Sequence, residues 1–168
     1  YLVPIDYNGT KIGLNYANSI YKAGEQYTIL DIHGKAHVAG IYLTHPLIKE
    51  RAQALDIKFG FDYKDVYDYL LDSIRSKDNI RVFNLGGTYD FTDRVQGRNI
   101  INLTYYQGVR GILGGNGKKD PDSSRLNADG AFAKYTADII RLQKLQGYNH
   151  LYLKVSGQIS EDSLFVAE

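Results

Sequence analysis

The sequence predicts an α+β fold, a mixed β-sheet with two main amphipathic helices, residues 62–77 and 128–145, packed on it. Three observations predict it. Over Asp62–Lys77, the residues Tyr63, Val66, Tyr67, Leu70, Leu71 and Ile74 recur at helical spacing on one face, with Asp62 as N-cap and Arg75 and Lys77 at the negative end of the helix dipole. Over Ala128–Leu145, a second stripe joins Phe132, Tyr135, Ile139, Leu142 and Leu145, and Gly147 is a natural stop. Before, between and after these segments lie short apolar runs bounded by turn residues, the pattern of strands.

The other elements follow in chain order. Residues 11–26 read as a short helix around Leu14, Ala17 and Tyr21, weakened by Gly13 and Gly24. Gln26–Leu43 reads as a β-hairpin, with Tyr27, Ile29 and Ile32 leading into a His33-Gly34-Lys35 turn and Val38, Ile41 and Leu43 returning. Thr44 caps a helix that starts near Pro46 and continues through Glu50 to Leu55, and Leu55–Phe61 is a strand. After an Asp78-Asn79 turn, Ile80–Leu85 is a strand, broken at Gly86-Gly87 before Thr88–Phe91. Strands are also expected at Asn99–Tyr106, Val109–Leu113, Leu151–Val155 and Ser163–Val166, with an exposed loop over Gly114–Ser124.

Composition bounds the function classes. The 168 residues are expected to make a single α+β domain, 1–168, cut or processed from a larger protein, because the chain starts at Tyr1 and has 15 Tyr but no Met, Cys or Trp. The missing types exclude disulfides, thiolate metal sites and nucleophilic cysteine. No apolar run approaches the roughly 18 residues of a membrane-spanning helix, so no membrane span is expected. The formal charge of +1 hides an asymmetry. Between Asp93 and Asp120 there is no acidic residue, whereas Arg94, Arg98, Arg110, Lys118 and Lys119 all fall there.

Asp31, Asp56 and Lys58 form one candidate catalytic set. Two carboxylates can hold Mg²⁺ while a lysine stabilises a charged phosphate. With Asp56-Ile57-Lys58 on a strand behind a hairpin, residues 11–85 resemble the core of the PD-(D/E)xK nuclease superfamily, and the resemblance implies a Mg²⁺-dependent nuclease. Two departures stand against it: no proline precedes Asp31, and an extra helix interrupts the strands. Ile112-Leu-Gly-Gly-Asn-Gly-Lys-Lys119 is not a P-loop, since Ile112 replaces the first glycine, Lys119 the Ser/Thr, and Asp120-Pro121 blocks a following helix. His33, His37 and His45 beside Asp31 are read as turn-flanking polar residues, and Asp65, Asp68, Tyr69 and Asp72 as the solvated face of the first long helix.

The leading expectation is therefore a noncatalytic, cysteine-free and tyrosine-rich binding domain of a secreted, surface or viral assembly, extracellular or at a surface and without a cofactor. Its contact surface is expected at Arg94, Arg98, Tyr105, Tyr106, Arg110, Lys118 and Lys119, because tyrosine and arginine are enriched where proteins touch. The partner class is a protein, or a polyanion or glycan. Behind it stand the Mg²⁺ nuclease and a structural subunit of an oligomeric assembly.

Overall fold

The computed structural model describes residues 1–22, 24, 31–71, 73–118, 120–125, 128–161 and 164–165. The chain is an all-β meander: β1 (Leu2–Pro4), β2 (Lys11–Lys22), β3 (His33–Lys49), β4 (Gln53–Leu70), β5 (Ser73–Thr92), β6 (Arg98–Gly108), β7 (Ala133–Lys144) and β8 (His150–Ser160). All eight strands join one antiparallel sheet in the order β1-β2-β3-β4-β5-β6-β7-β8.

The expected α+β class is thereby overturned. Residues 62–77 are the end of β4, a tight turn at Leu71 with φ 51°, and the start of β5. Residues 128–145 contain β7. The error has a physical cause: Tyr63 and Tyr67, like Tyr135 and Ile139, are four apart, and four residues is close to one helical turn and also two full strand periods. The same ambiguity converted 11–26, most of which is β2, and 46–55, which the β3–β4 hairpin occupies. The glycine of the expected His33-Gly34-Lys35 turn lies inside β3, and Gly86-Gly87 continues β5 unbroken. Val109–Leu113 is not a strand but loop, with a 3-10 turn at Ile112–Gly114. Tyr27, Ile29, Asp72 and the ends of the expected 163–166 strand lie outside the described residues.

Register sorts the side chains onto two unlike faces. One row of register partners across the sheet reads Ile12, Leu43, Phe59, Leu85, Tyr105, Tyr135 and Ile159. The adjacent row, one residue along each strand and so on the opposite face, reads Lys11, Thr44, Lys58, Gly86, Thr104, Thr136 and Gln158. The apolar face is uncovered: Leu14, Leu85, Leu103 and Val155 are 53, 55, 57 and 66% exposed.

The two ends also differ. Short connections, 5–10, 50–52, 93–97 and 145–149, gather at one end. Asp31 and Ile32 before β3, the described residues of 109–132 and the projecting β4–β5 hairpin gather at the other. Among the described residues the buried core is small and sits at that second end: Ile80, Val82, Ala128, Phe132, Leu164 and Phe165, with Tyr106 packed against it. Gly108 makes this packing possible, because a Cβ there would stand 2.4 Å from the Phe132 ring.

Candidate functional site

The polar face of β4–β8 offers the first candidate surface. Lys58, Asp62, Asn84, Thr88, Asn102 and Tyr106 line a hollow of about 210 Å³, and Tyr106 also borders a second of about 420 Å³ with Thr136, Asp138, Ser156 and Gln158. Its charged groups are locally engaged. The Asn84 amide donates to Asp62 (2.7 Å), the Ser156 hydroxyl to Asp138 (2.5 Å), and the Lys154 ammonium lies 4.0 Å from Asp138. The Lys58 and Lys134 ammonium groups sit over the rings of Tyr42 and Tyr106, at 4.4 and 4.6 Å. Such a wall offers hydroxyl and amide groups to hydrogen-bond whatever passes it.

The second candidate is the folded 109–132 segment. β6 stops pairing at Gly108 opposite Val82, leaving the first part of β5 with a free edge. The segment covers that edge: Val109 and Asn116 donate backbone bonds to Arg81 and Asn79, at 2.9 and 2.8 Å, and Lys77 donates to Asp122 at 2.7 Å. Arg81 fixes the arrangement. Its side chain, 1% exposed, donates to the Leu113 carbonyl (3.1 and 2.8 Å), the Lys64 carbonyl (3.0 Å) and the Asp65 carboxylate (2.8 Å), and its guanidinium lies 3.4 Å from the Tyr63 ring centre. The Asn116 amide donates to the Lys77 carbonyl (3.2 Å) and to Asp120 (3.1 Å), while Asp78 accepts from the Ser124 backbone (2.8 Å). Farther along, the Arg110 guanidinium grips Asp129 with two hydrogen bonds, which hold the Asp129 carboxyl below its ordinary value.

At the opposite end, Asp93 closes the 93–97 turn. The Gly97 backbone N–H (2.9 Å) and then Arg141 (2.6 Å) hold its carboxyl down at about 2. The 5–10 turn is tied by Asp6 and Thr10, whose hydroxyl also meets His45 Nδ1 at 2.8 Å. With that hydroxyl proton donated to Asp6, the imidazole is a donor to Thr10 rather than its base, so the trio is a clamp and not a nucleophile.

The expected contact residues are not brought together. Arg94 and Arg98 lie at the short-turn end, Arg110 and Lys118 beyond the far end of β6, roughly 35 Å away at about 3.3 Å per residue. Tyr105 faces the apolar side and Tyr106 the polar one. Arg98 is committed to Asp90 and Arg110 to Asp129. Lys118 pairs through its backbone with Asp129, and Lys119 lies outside the described residues. Nor do the nuclease residues converge: Asp56 and Lys58 share the polar face near one end of β4, whereas Asp31 precedes β3 at the other end. Among the described residues no group of three or more His, Asp or Glu could hold a metal ion. The residue that sequence reasoning missed is Arg81, whose signal was a lone cation between Ile80 and Val82 in an apolar run.

A sequential antiparallel meander, apolar on one face and polar on the other, with short turns at one end and long connections at the other, defines an all-β wall. The chain belongs to the haemolysin secretion/activation protein ShlB/FhaC/HecB family, whose description matches residues 1–168. By its description that family is secretion-related, in keeping with a surface-related location. No curated protein gives a significant match. Among solved structures, CdiB from Escherichia coli is similar, with a TM-score of 0.79 and 16% identity over 93% of this chain, which shows the fold. The matched part is 29% of the CdiB chain. No helix among the described residues is long and apolar enough to cross a membrane, a statement that does not bear on strands.

Proposed function

We propose that this chain is a section of the wall of an outer-membrane β-barrel that handles a secreted polypeptide, its apolar face against lipid and its polar face lining an aqueous path. The observation that carries the reading is the partition by register, with Ile12, Leu43, Phe59, Leu85, Tyr105, Tyr135 and Ile159 in one row and Lys11, Thr44, Lys58, Gly86, Thr104, Thr136 and Gln158 in the next. A large apolar side chain left in water forgoes roughly 1.5–3 kcal/mol, so a face of such side chains calls for another solvent. Hydrocarbon supplies it. Barrel strands that cross a bilayer need about 9–11 residues, alternate apolar-out with polar-in, and carry short turns on one side and long loops on the other. β2, β6, β7 and β8, of 12, 11, 12 and 11 residues, fit that length, and β3–β5 project beyond it.

The partner implied is a polypeptide in transit, as the family's description suggests. A hydroxyl- and amide-lined wall whose charged groups are already engaged suits such a partner, because it can bond to an extended backbone without selecting one sequence.

The test uses the fact that this chain has no cysteine. Leu103→Cys and Thr104→Cys are spin-labelled one at a time in the intact protein in membranes. Oxygen, which partitions into hydrocarbon, is expected to relax the label at 103 preferentially, and a water-soluble nickel chelate the label at 104. Equal access of the chelate to both positions would reject the wall reading.

A further inference from the structure

We propose that the apolar side of β2–β5, just beyond the apolar band at the long-connection end, is a binding site for the phosphorylated headgroup of a membrane lipid. The inference rests on the reading of that face as lipid-facing. Register sets Ile20, Lys35, Tyr67 and Lys77 side by side on β2, β3, β4 and β5, and the next row on the same face contains Lys22, His33 and Tyr69. The ring contacts confirm that these side chains share a side. The Lys77 ammonium lies 5.6 Å from the Tyr67 ring centre and the Lys35 ammonium 5.7 Å from that of Tyr69, on which His33 stacks at 4.7 Å.

Lysines dominate the charge of the patch. Among the described residues, none of Lys22, Lys35 and Lys77 forms an ion pair. Among the described residues, Asp65 on the same face is held by Arg81, and Asp31 lies 3.7 Å from His33 at the margin of the patch. At strand spacings of about 4.8 Å, Lys35 and Lys77 stand roughly 10 Å apart across Tyr67, a span that a headgroup can bridge. Lysine ammonium groups give a phosphate point charges and rotatable donors, and tyrosine faces offer a platform for a sugar or glycerol unit.

Position selects the lipid as the source of the phosphate. Ile20, 62% exposed, occupies the same row as Lys35, so cations and hydrocarbon-facing residues are continuous on one surface. Clustered lysines at the edge of a membrane-embedded surface attract anionic headgroups, and aromatic residues favour that level of the bilayer. A free phosphate would meet the same side chains but has no acyl chain to hold it on the adjoining apolar band.

The test titrates the intact protein, in neutral detergent micelles, with fluorescent phosphatidate or fluorescent phosphatidylcholine, with inorganic phosphate as competitor. Phosphatidate is expected to bind preferentially, more weakly at high salt, and to resist competition by inorganic phosphate at equal concentration. Each surface lysine contributes about fivefold, so Lys35→Gln with Lys77→Gln should weaken phosphatidate binding roughly 25-fold. Lys154→Gln, on the polar face, should leave it unchanged. Binding unaltered in the double variant, equal binding of both lipids, or displacement by inorganic phosphate would overturn the site. If the 103/104 labels still report opposite solvents in that case, the wall reading stands and only the headgroup site falls.

Discussion

Arg81 holds the 109–132 segment against the β4–β5 hairpin, and its removal should free that segment without dissolving the sheet. In Arg81→Met the aliphatic volume stays, but the bonds to the carbonyls of Leu113 and Lys64 and the ion pair with Asp65 disappear. Breaking a buried pair from one side costs about 3–5 kcal/mol, and the lower value applies because the Asp65 side chain is 15% exposed and regains some water. About 3 kcal/mol is a shift of roughly two powers of ten in the docked-to-undocked ratio. Hydrogen exchange on the intact protein reads it directly. The amides of Val109 and Asn116, bonded to Arg81 and Asn79, and of Lys77, bonded to Asp122, should exchange roughly a hundredfold faster. The Gln96 amide, in the turn at the opposite end, should not change. Unaltered exchange at Asn116, or equal acceleration at both ends, would refute the assignment of Arg81 as the local anchor.

Two further outcomes are expected. A Cβ on Gly13 would stand 2.1 Å from the Tyr42 ring, so Gly13→Val should cost about 1–3 kcal/mol and reduce the fraction that migrates as folded protein in an unheated gel, with Tyr42→Ala restoring part of it. The Asp93 carboxyl is depressed from 3.8 to about 2, so its contribution to the 93–97 turn is full above 3.8 and is lost as pH falls through about 2. Pepsin should therefore cleave that turn faster in Asp93→Asn than in the native protein near pH 4, and the difference should vanish below about pH 2.

Several strands were legible in the sequence. Ile80–Leu85, Asn99–Tyr106 and Leu151–Val155 fall within β5, β6 and β8, because β-branched and aromatic residues alternate there between turn residues. The helices went wrong where the four-residue spacing of Tyr63 and Tyr67, or of Tyr135 and Ile139, suits both periods. The deeper reason is the solvent assumed. Apolar stripes were taken to point at a core, whereas Phe59, Leu85 and Leu103 point away from the protein. The absence of a long apolar run argued against a spanning helix and carried no information about strands, in which every second residue faces the polar side. The cationic segment was read as one surface because its residues are near in sequence, but β6 carries Arg98 and Arg110 to opposite ends of the sheet. Arg81 was hidden for the complementary reason: its partners Leu113, Lys64 and Asp65 lie 32, 17 and 16 positions away.

Because every strand lies beside its own neighbours in the chain, the sheet can grow like a zip, each new hairpin needing only the edge left by the one before. An arrangement of that kind tolerates evolution by units. A pair of strands can be duplicated, or the 109–132 excursion lengthened and rewritten, while the alternation that sorts apolar from polar side chains passes undisturbed from one neighbour to the next.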